Sequence, residues 1–224
     1  MKNTIGENNK IPEGIGFLFD LDGVLIDSET EYTRIWEEID RKYPTGVENF
    51  AIKIKGMTLP EILAEYFPEN IHDSVITLLN EKEQKMKYRP LPGAIEILTR
   101  LKEKGHGAIL VTSSNDYKMR HLREELPDLE NYFYDIVTAD KVHHSKPDPE
   151  GYLLGASLLG VPARRCVVFE DSVQGVKAGR ASGAYTVGMT TTLPASSLEN
   201  YTDELAGTLA DVDIDKIIQI LRAR

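Results

Sequence analysis

Cysteine is nearly missing from this 224-residue chain. The single Cys166 can close no disulfide within it, and its place inside an apolar run reads as packed core, not as a nucleophile. A reducing, cytoplasmic setting is expected. Long apolar runs are lacking as well. No stretch approaches the ~20 residues that span a bilayer, and residues 1–14, rich in Asn, Lys, Glu and Gly, read as a loose tail without the apolar centre of a signal peptide. Positive charge is scarce: 26 Lys and Arg against 36 Asp and Glu give a formal charge of −10, which argues against nucleic acid and anionic membrane as partners. A small phosphate stays admissible, because local cations decide its binding. Repeats and low-complexity segments are absent.

What is present begins at residues 15–26, Ile-Gly-Phe-Leu-Phe-Asp-Leu-Asp-Gly-Val-Leu-Ile. The apolar run lacks strict alternation, so it predicts a strand covered on both faces, as in a parallel sheet between helices. It stops at Asp20 and Asp22, with Gly23 allowing a sharp turn. In open α/β sheets ligands bind at that carboxyl end, where two acids spaced i, i+2 can address one centre. The same letters could open a calcium loop. The glycine stands at position four instead of six, however, Val24 takes the fifth ligand's place, and a strand precedes where a helix should.

Helical spacing follows. Tyr32, Ile35, Trp36, Ile39 and Tyr43 recur every three or four residues over 28–43, with Asp27 or Ser28 as cap and Glu29 and Glu31 in the first turn facing water or the helix dipole. Further helices are predicted over 60–67 and 71–86. No second strand run occurs before residue 105, so 27–90 reads as a small helical insert bounded by Arg89-Pro90-Leu91-Pro92-Gly93. From there helix and strand alternate: helices at 92–104, 116–126, 148–159, 172–182 and 213–221, strands at 107–111, 135–138, 166–169 and 185–188. Such alternation predicts a Rossmann-like parallel α/β core with helices on both faces, made of 15–26 and 91–224, carrying an inserted α-helical cap.

The chemistry follows from which residues end the strands. Asp20 and Asp22 follow one, Thr112 and Ser113 a second, Lys146 a loop after the third, Glu170 and Asp171 a fourth. A parallel sheet brings all four groups to one edge. Carboxylates, a hydroxyl and a lysine there suit a phosphoryl group held with Mg²⁺, a hard cation that takes few carboxylates and accepts phosphate oxygen. Asp20 is then the candidate nucleophile and Asp22 the acid that protonates the leaving oxygen and later deprotonates water. Thr112 and the amides opening the next helix would bind the remaining phosphate oxygens.

In these residues the chain resembles the haloacid dehalogenase superfamily, in the subgroup whose cap is a helical insert between the first two motifs. The motifs stand as Asp20-Leu21-Asp22-Gly23-Val24-Leu25, Thr112 after Ile109-Leu110-Val111, Lys146 in Ser145-Lys146-Pro147-Asp148-Pro149, and Glu170-Asp171-Ser172. The resemblance implies an aspartyl-phosphate intermediate on Asp20, Asp22 as acid and base, and Thr112 and Lys146 on the phosphate. It implies magnesium on Asp20, the Asp22 carbonyl and Asp171, with Glu170 assisting. Dehalogenases have no acid at the place of Asp22, so phosphate esters are implied.

Within the superfamily the chain is similar to β-phosphoglucomutases and small sugar-phosphate phosphatases. Mutases carry a His and an Arg where Tyr32 and Leu59 stand here, after Lys55-Gly56-Met57-Thr58. That loss of positive charge disfavours a bisphosphate, although Lys53, Lys55 or Lys82 could substitute. The expectation is a monomeric, Mg²⁺-dependent phosphatase acting on a small phosphorylated metabolite, with a phosphosugar mutase as the alternative. His143 and His144 read as surface histidines, and Trp36 as cap core. Ser113, Ser114 and Asn115 read equally as helix caps or substrate contacts, and Ser113 is placed with the phosphate-binding residues. Hinges are expected near 25–28 and 88–93, and specificity in the loop at 56–59.

Overall fold

Gly16–Phe19 forms β1, and every residue of it is buried. The computed structural model describes residues 14–54, 59–114 and 116–224. Residues 1–13 of the predicted 1–14 tail, Lys55, most of the 56–59 loop and Asn115 lie outside the described residues. After β1 the chain runs through α1 (Glu29–Lys42), α2 (Phe50–Lys53), α3 (Leu59–Tyr66), α4 (His72–Glu83), α5 (Ala94–Glu103), β2 (Gly107–Val111), α6 (Asp116–Glu125) and β3 (Asp135–Val137). It continues through α7 (Glu150–Leu158), β4 (Cys166–Glu170), α8 (Val173–Ser182), β5 (Tyr185–Met189), α9 (Ala195–Leu198), β6 (Glu204–Ala206) and α10 (Ile214–Arg222).

All the strand pairings are parallel, in the order β3-β2-β1-β4-β5-β6. The chain works outward from β1 in one direction, then returns to its other side. That makes β1 the topological switch point, where open α/β sheets leave a crevice. Leu18 pairs in register with Ile109 and Val168 and, with Val111, shares a core cluster with Tyr152 and Ala156 of α7 and Leu159 just after it. Phe17, Phe19 and Phe169 face the other way, with the Phe19 and Phe169 rings stacked 4.7 Å apart. Each buried phenylalanine contributes roughly 1.5–3 kcal/mol. Gly179 is explained here: a Cβ would come within 2.9 Å of Val168 Cγ1, so glycine is what lets α8 lie against β4.

The chain divides into two compact units: residues up to Ile26 with Pro90–Arg224, and Asp27–Arg89. In the first, the Leu91 N–H donates to the Leu25 carbonyl (2.9 Å) and Ile26 bridges Pro90 antiparallel. In the second, α1 buries Ile35, Trp36 and Ile39, and Trp36 meets Phe50 and Phe67 in an aromatic cluster, as expected of cap core.

Several details differ from the sequence expectation. Asp27 alone caps α1, accepting from the Thr30 N–H at 3.1 Å, while the Ser28 hydroxyl is buried without a partner. α5 and α7 start two residues later than expected, after Gly93 and Pro149. Neither α2 nor β6 was expected. Each is four residues or fewer and has too little pattern to register.

Candidate active site

Asp20 follows β1 and donates its N–H to the Phe169 carbonyl at 3.0 Å, which ties it to the end of β4. Lys146 reaches in from the loop after β3. Its Nζ donates to Asp20 Oδ1 (2.5 Å), Glu170 Oε1 (2.5 Å) and the Val111 carbonyl (3.2 Å), the residue before Thr112. Residues 126 positions apart thus meet at the switch point. Asp171 completes the group: ligand oxygens of Asp20, Glu170 and Asp171 lie within 4.8 Å of one another, and all three residues are buried.

Burial dominates the electrostatics. It pushes the Asp20 carboxyl from 3.8 up to about 7, with Lys146 opposing and Glu170 and Asp22 adding to the rise. Asp171 is driven well above the carboxylate range, first by burial and then by Glu170 and Asp20. Burial alone would lower Lys146, but Asp20 and Glu170 overcome it and hold the ammonium charged. A nucleophilic carboxylate must be anionic at neutral pH, so this cluster is short of positive charge. Four carboxylates, Asp20, Asp22, Glu170 and Asp171, face two lysines, 118 and 146, a formal surplus of two negative charges. Hard oxygen donors with that surplus fit a divalent cation such as Mg²⁺.

Glu170 is held by a dense set of hydrogen bonds. Oε1 accepts from Lys146 and the Tyr152 hydroxyl (2.7 Å), and Oε2 from the Asp171 N–H, the Ser172 N–H and the Ser172 hydroxyl. Five donors fill the roughly four lone-pair sites of a carboxylate. These bonds tie Glu170 to Lys146 and to the turn into α8, while it keeps a ligand oxygen within 4.8 Å of those of Asp20 and Asp171.

Two glycines make this possible. Gly23 has φ +71°, and a Cβ there would fall 1.9 Å from Asp171 Oδ2. At Gly175 a Cβ would fall 1.8 Å from Glu170 Cδ. Gly175→Ala is therefore expected to displace the Glu170 carboxylate and destabilise the fold by about 1–3 kcal/mol. Urea unfolding measures this; an unchanged midpoint would refute the packing argument.

The phosphate loop is placed more loosely. Thr112 is buried, and its hydroxyl accepts from the Ser114 N–H at 3.0 Å, which leaves the hydroxyl proton to donate elsewhere. Ser113 is exposed. Ser114, which sequence reading left between cap and contact, lies 3.3 Å from Asp22 Oδ2. His143 and His144 stay at the surface, their N–H groups held by Glu150 at 2.9 and 2.8 Å.

Three participants escaped sequence reading. Lys118 on α6 places Nζ 2.7 Å from both oxygens of Asp22. Tyr152 on α7 donates its hydroxyl to Glu170 Oε1 at 2.7 Å. Thr192 donates its hydroxyl to Asp171 Oδ2. Nothing local marks any of the three.

The Asp27–Arg89 unit, taken by itself, holds a cavity of about 250 Å³. Trp36 and Leu79 line its apolar part, and Glu29, Tyr32, Thr33 and Glu83 its polar part. Glu29 thus lines a cavity where water or the helix dipole was expected. The Tyr32 hydroxyl donates to Glu83 at 2.9 Å. Among the described lining residues none is cationic. Lys82 is paired with Glu38, and Lys53 lies over the Tyr66 ring.

A doubly wound parallel sheet with buried carboxylates and a charged lysine at its switch point defines an α/β protein with a polar site where such sheets bind ligands. The haloacid dehalogenase-like hydrolase family matches residues 16–183. Hexitol phosphatase A of Escherichia coli is 31% identical over 208 residues, covering 90% of this chain and 94% of that protein. Validoxylamine A 7'-phosphate phosphatase of Streptomyces hygroscopicus is 32% identical, covering 81% and 88%. A solved hydrolase of Deinococcus radiodurans, with bound phosphate and sodium, superposes with TM-score 0.76 at 24% identity over 92% of this chain and 96% of its own, a likeness of fold. The chain belongs to the haloacid dehalogenase-like hydrolases, and with these relatives it is a phosphoric monoester hydrolase. Among the described residues no helix is long and apolar enough to cross a membrane.

Proposed function

We propose that this enzyme hydrolyses the monophosphate of a small, neutral, hydroxyl-rich metabolite, a sugar or sugar-alcohol phosphate, through an aspartyl-phosphate intermediate. The observation that carries this is Lys146 bridging Asp20 and Glu170 beside Asp171 at the switch point. Asp20 attacks phosphorus as the bond to the substrate's oxygen breaks, and Asp22 gives that oxygen a proton. Asp22 then takes a proton from water as the water attacks phosphorus and the bond to Asp20 breaks. Thr112, Ser113 and Lys146 bind the phosphoryl oxygens. Mg²⁺ on Asp20, Asp171 and the Asp22 carbonyl, when bound, supplies the charge that lets a carboxylate approach an anionic phosphate.

Substrate class is supported by the relatives named for hexitol and validoxylamine phosphates, and by the cap's own chemistry. Two carboxylates, a tyrosine and a tryptophan, without a cation among the described lining residues, suit a hydroxylated neutral group better than a second phosphate. Lys53 and Lys82 are engaged elsewhere and Lys55 lies outside the described residues, so no described cap cation favours the mutase reading over the phosphatase. The enzyme works in this reading as a cytoplasmic monomer, with no nucleic-acid partner. Phosphate release from a panel of sugar, polyol and bisphosphate substrates, with Mg²⁺ and with EDTA, is the test. Release from monophosphates only with Mg²⁺ is expected; positional transfer within a sugar exceeding release would instead make the enzyme a mutase.

A further inference from the structure

We propose that Lys118 is the positioning residue of the acid–base carboxylate Asp22, holding it in the orientation from which it protonates the leaving oxygen. Asp22 sits beyond β1, where its backbone bridges Ile26, and its side chain is 31% exposed. Two side-chain torsions set where its oxygens point, and a general acid works only when its proton is within hydrogen-bond reach of the group it serves. Lys118 Nζ lies at 2.7 Å from Oδ1 and at 2.7 Å from Oδ2, and Ser114 Oγ adds a contact to Oδ2 at 3.3 Å. A cation equidistant from both oxygens fixes the direction in which the carboxylate faces, and the Ser114 hydroxyl on Oδ2 adds a second point.

The lysine is itself held in place. Its side chain is only 18% exposed, and its helix is anchored by Met119 and Leu122, both buried. An exposed ion pair contributes little, but this one is largely withdrawn from water and ends on a residue of the site. Lys118 also stands six residues after Thr112, on the helix that follows the phosphate loop. One element therefore carries the group that meets the phosphate and the group that aims the acid.

The inference rests on Asp22 acting as the acid of the proposed hydrolysis, and the experiment separates the two. With Mg²⁺ present, kcat/KM is measured on an alkyl phosphate that the wild type accepts and on p-nitrophenyl phosphate, whose phenolate leaves without a proton. Lys118→Met is expected to lose at least about tenfold more on the alkyl ester than on the aryl ester, within the 10²–10⁴ range that a general acid contributes. Lys118→Arg, whose guanidinium can also chelate both oxygens, should restore most of the difference, and Lys118→Met should add no selective loss to Asp22→Ala. Should Lys118→Met fail to fold by circular dichroism, Lys118→Gln carries the same comparison.

Equal losses on both esters would mean that the lysine binds phosphate or supports the fold, and would overturn the inference. A selective loss in Asp22→Ala without one in Lys118→Met overturns the lysine's role alone. Equal losses in Asp22→Ala overturn the acid assignment, and the inference with it.

Discussion

Asp20→Asn abolishes turnover: phosphate release in Mg²⁺ falls by roughly 10⁴-fold or more, the scale on which loss of a nucleophile acts. The amide keeps the shape but has no lone pair of comparable nucleophilicity, and no phosphoryl group can be trapped on it. The variant also changes how stability responds to pH. In the metal-free protein Asp20 is raised from 3.8 to about 7, chiefly by burial. Between those values the folded chain holds a proton that the unfolded chain has released. This contribution to stability is present below about pH 4 and lost as pH climbs to about 7. Asp20→Asn should remove that part of the slope. Urea midpoints from pH 4 to 8 in EDTA measure it, and identical slopes in the two proteins would contradict the burial argument. A variant that keeps even a hundredth of wild-type turnover would place the nucleophile elsewhere.

Lys146→Met should damage folding and catalysis together. The ammonium is 13% exposed and serves two carboxylates that are more deeply buried still. Removing one partner of a buried charged group costs about 3–5 kcal/mol, because the other charges are left uncompensated. The urea midpoint should drop accordingly, and kcat/KM by roughly 10³-fold, a charge-stabilisation loss at the transition state. Adding Glu170→Gln removes one stranded charge. The double variant should recover part of the stability while activity stays lost, since Asp20 still lacks its cation. Full additivity of the two stability changes would show that the groups do not act as one network.

Much of this was legible before any coordinates. The strand ending in Asp20 and Asp22 announces itself because a fully buried strand needs an unbroken apolar run and the polar residues can come only at its end. The same local rule marks Thr112 after β2 and Glu170-Asp171 at β4. The helical insert is legible because its strand-free stretch is long. β6 was missed, since Glu204-Leu205-Ala206 carries no apolar run of its own and joins the sheet by pairing with β5.

The residues and order of the chemistry, two acids, a hydroxyl, a lysine and an acidic pair, were set by the sequence, because strand ends are a local property. Their partnerships were decided only by tertiary structure. That Glu170 is saturated by Lys146, Tyr152 and the Ser172 turn, that Gly175 makes room for it, and that Lys118 grips Asp22 across 96 positions all depend on how helices pack over the sheet. Long-range contacts of single side chains leave no period in the chain, so no reading of spacing alone could have found them.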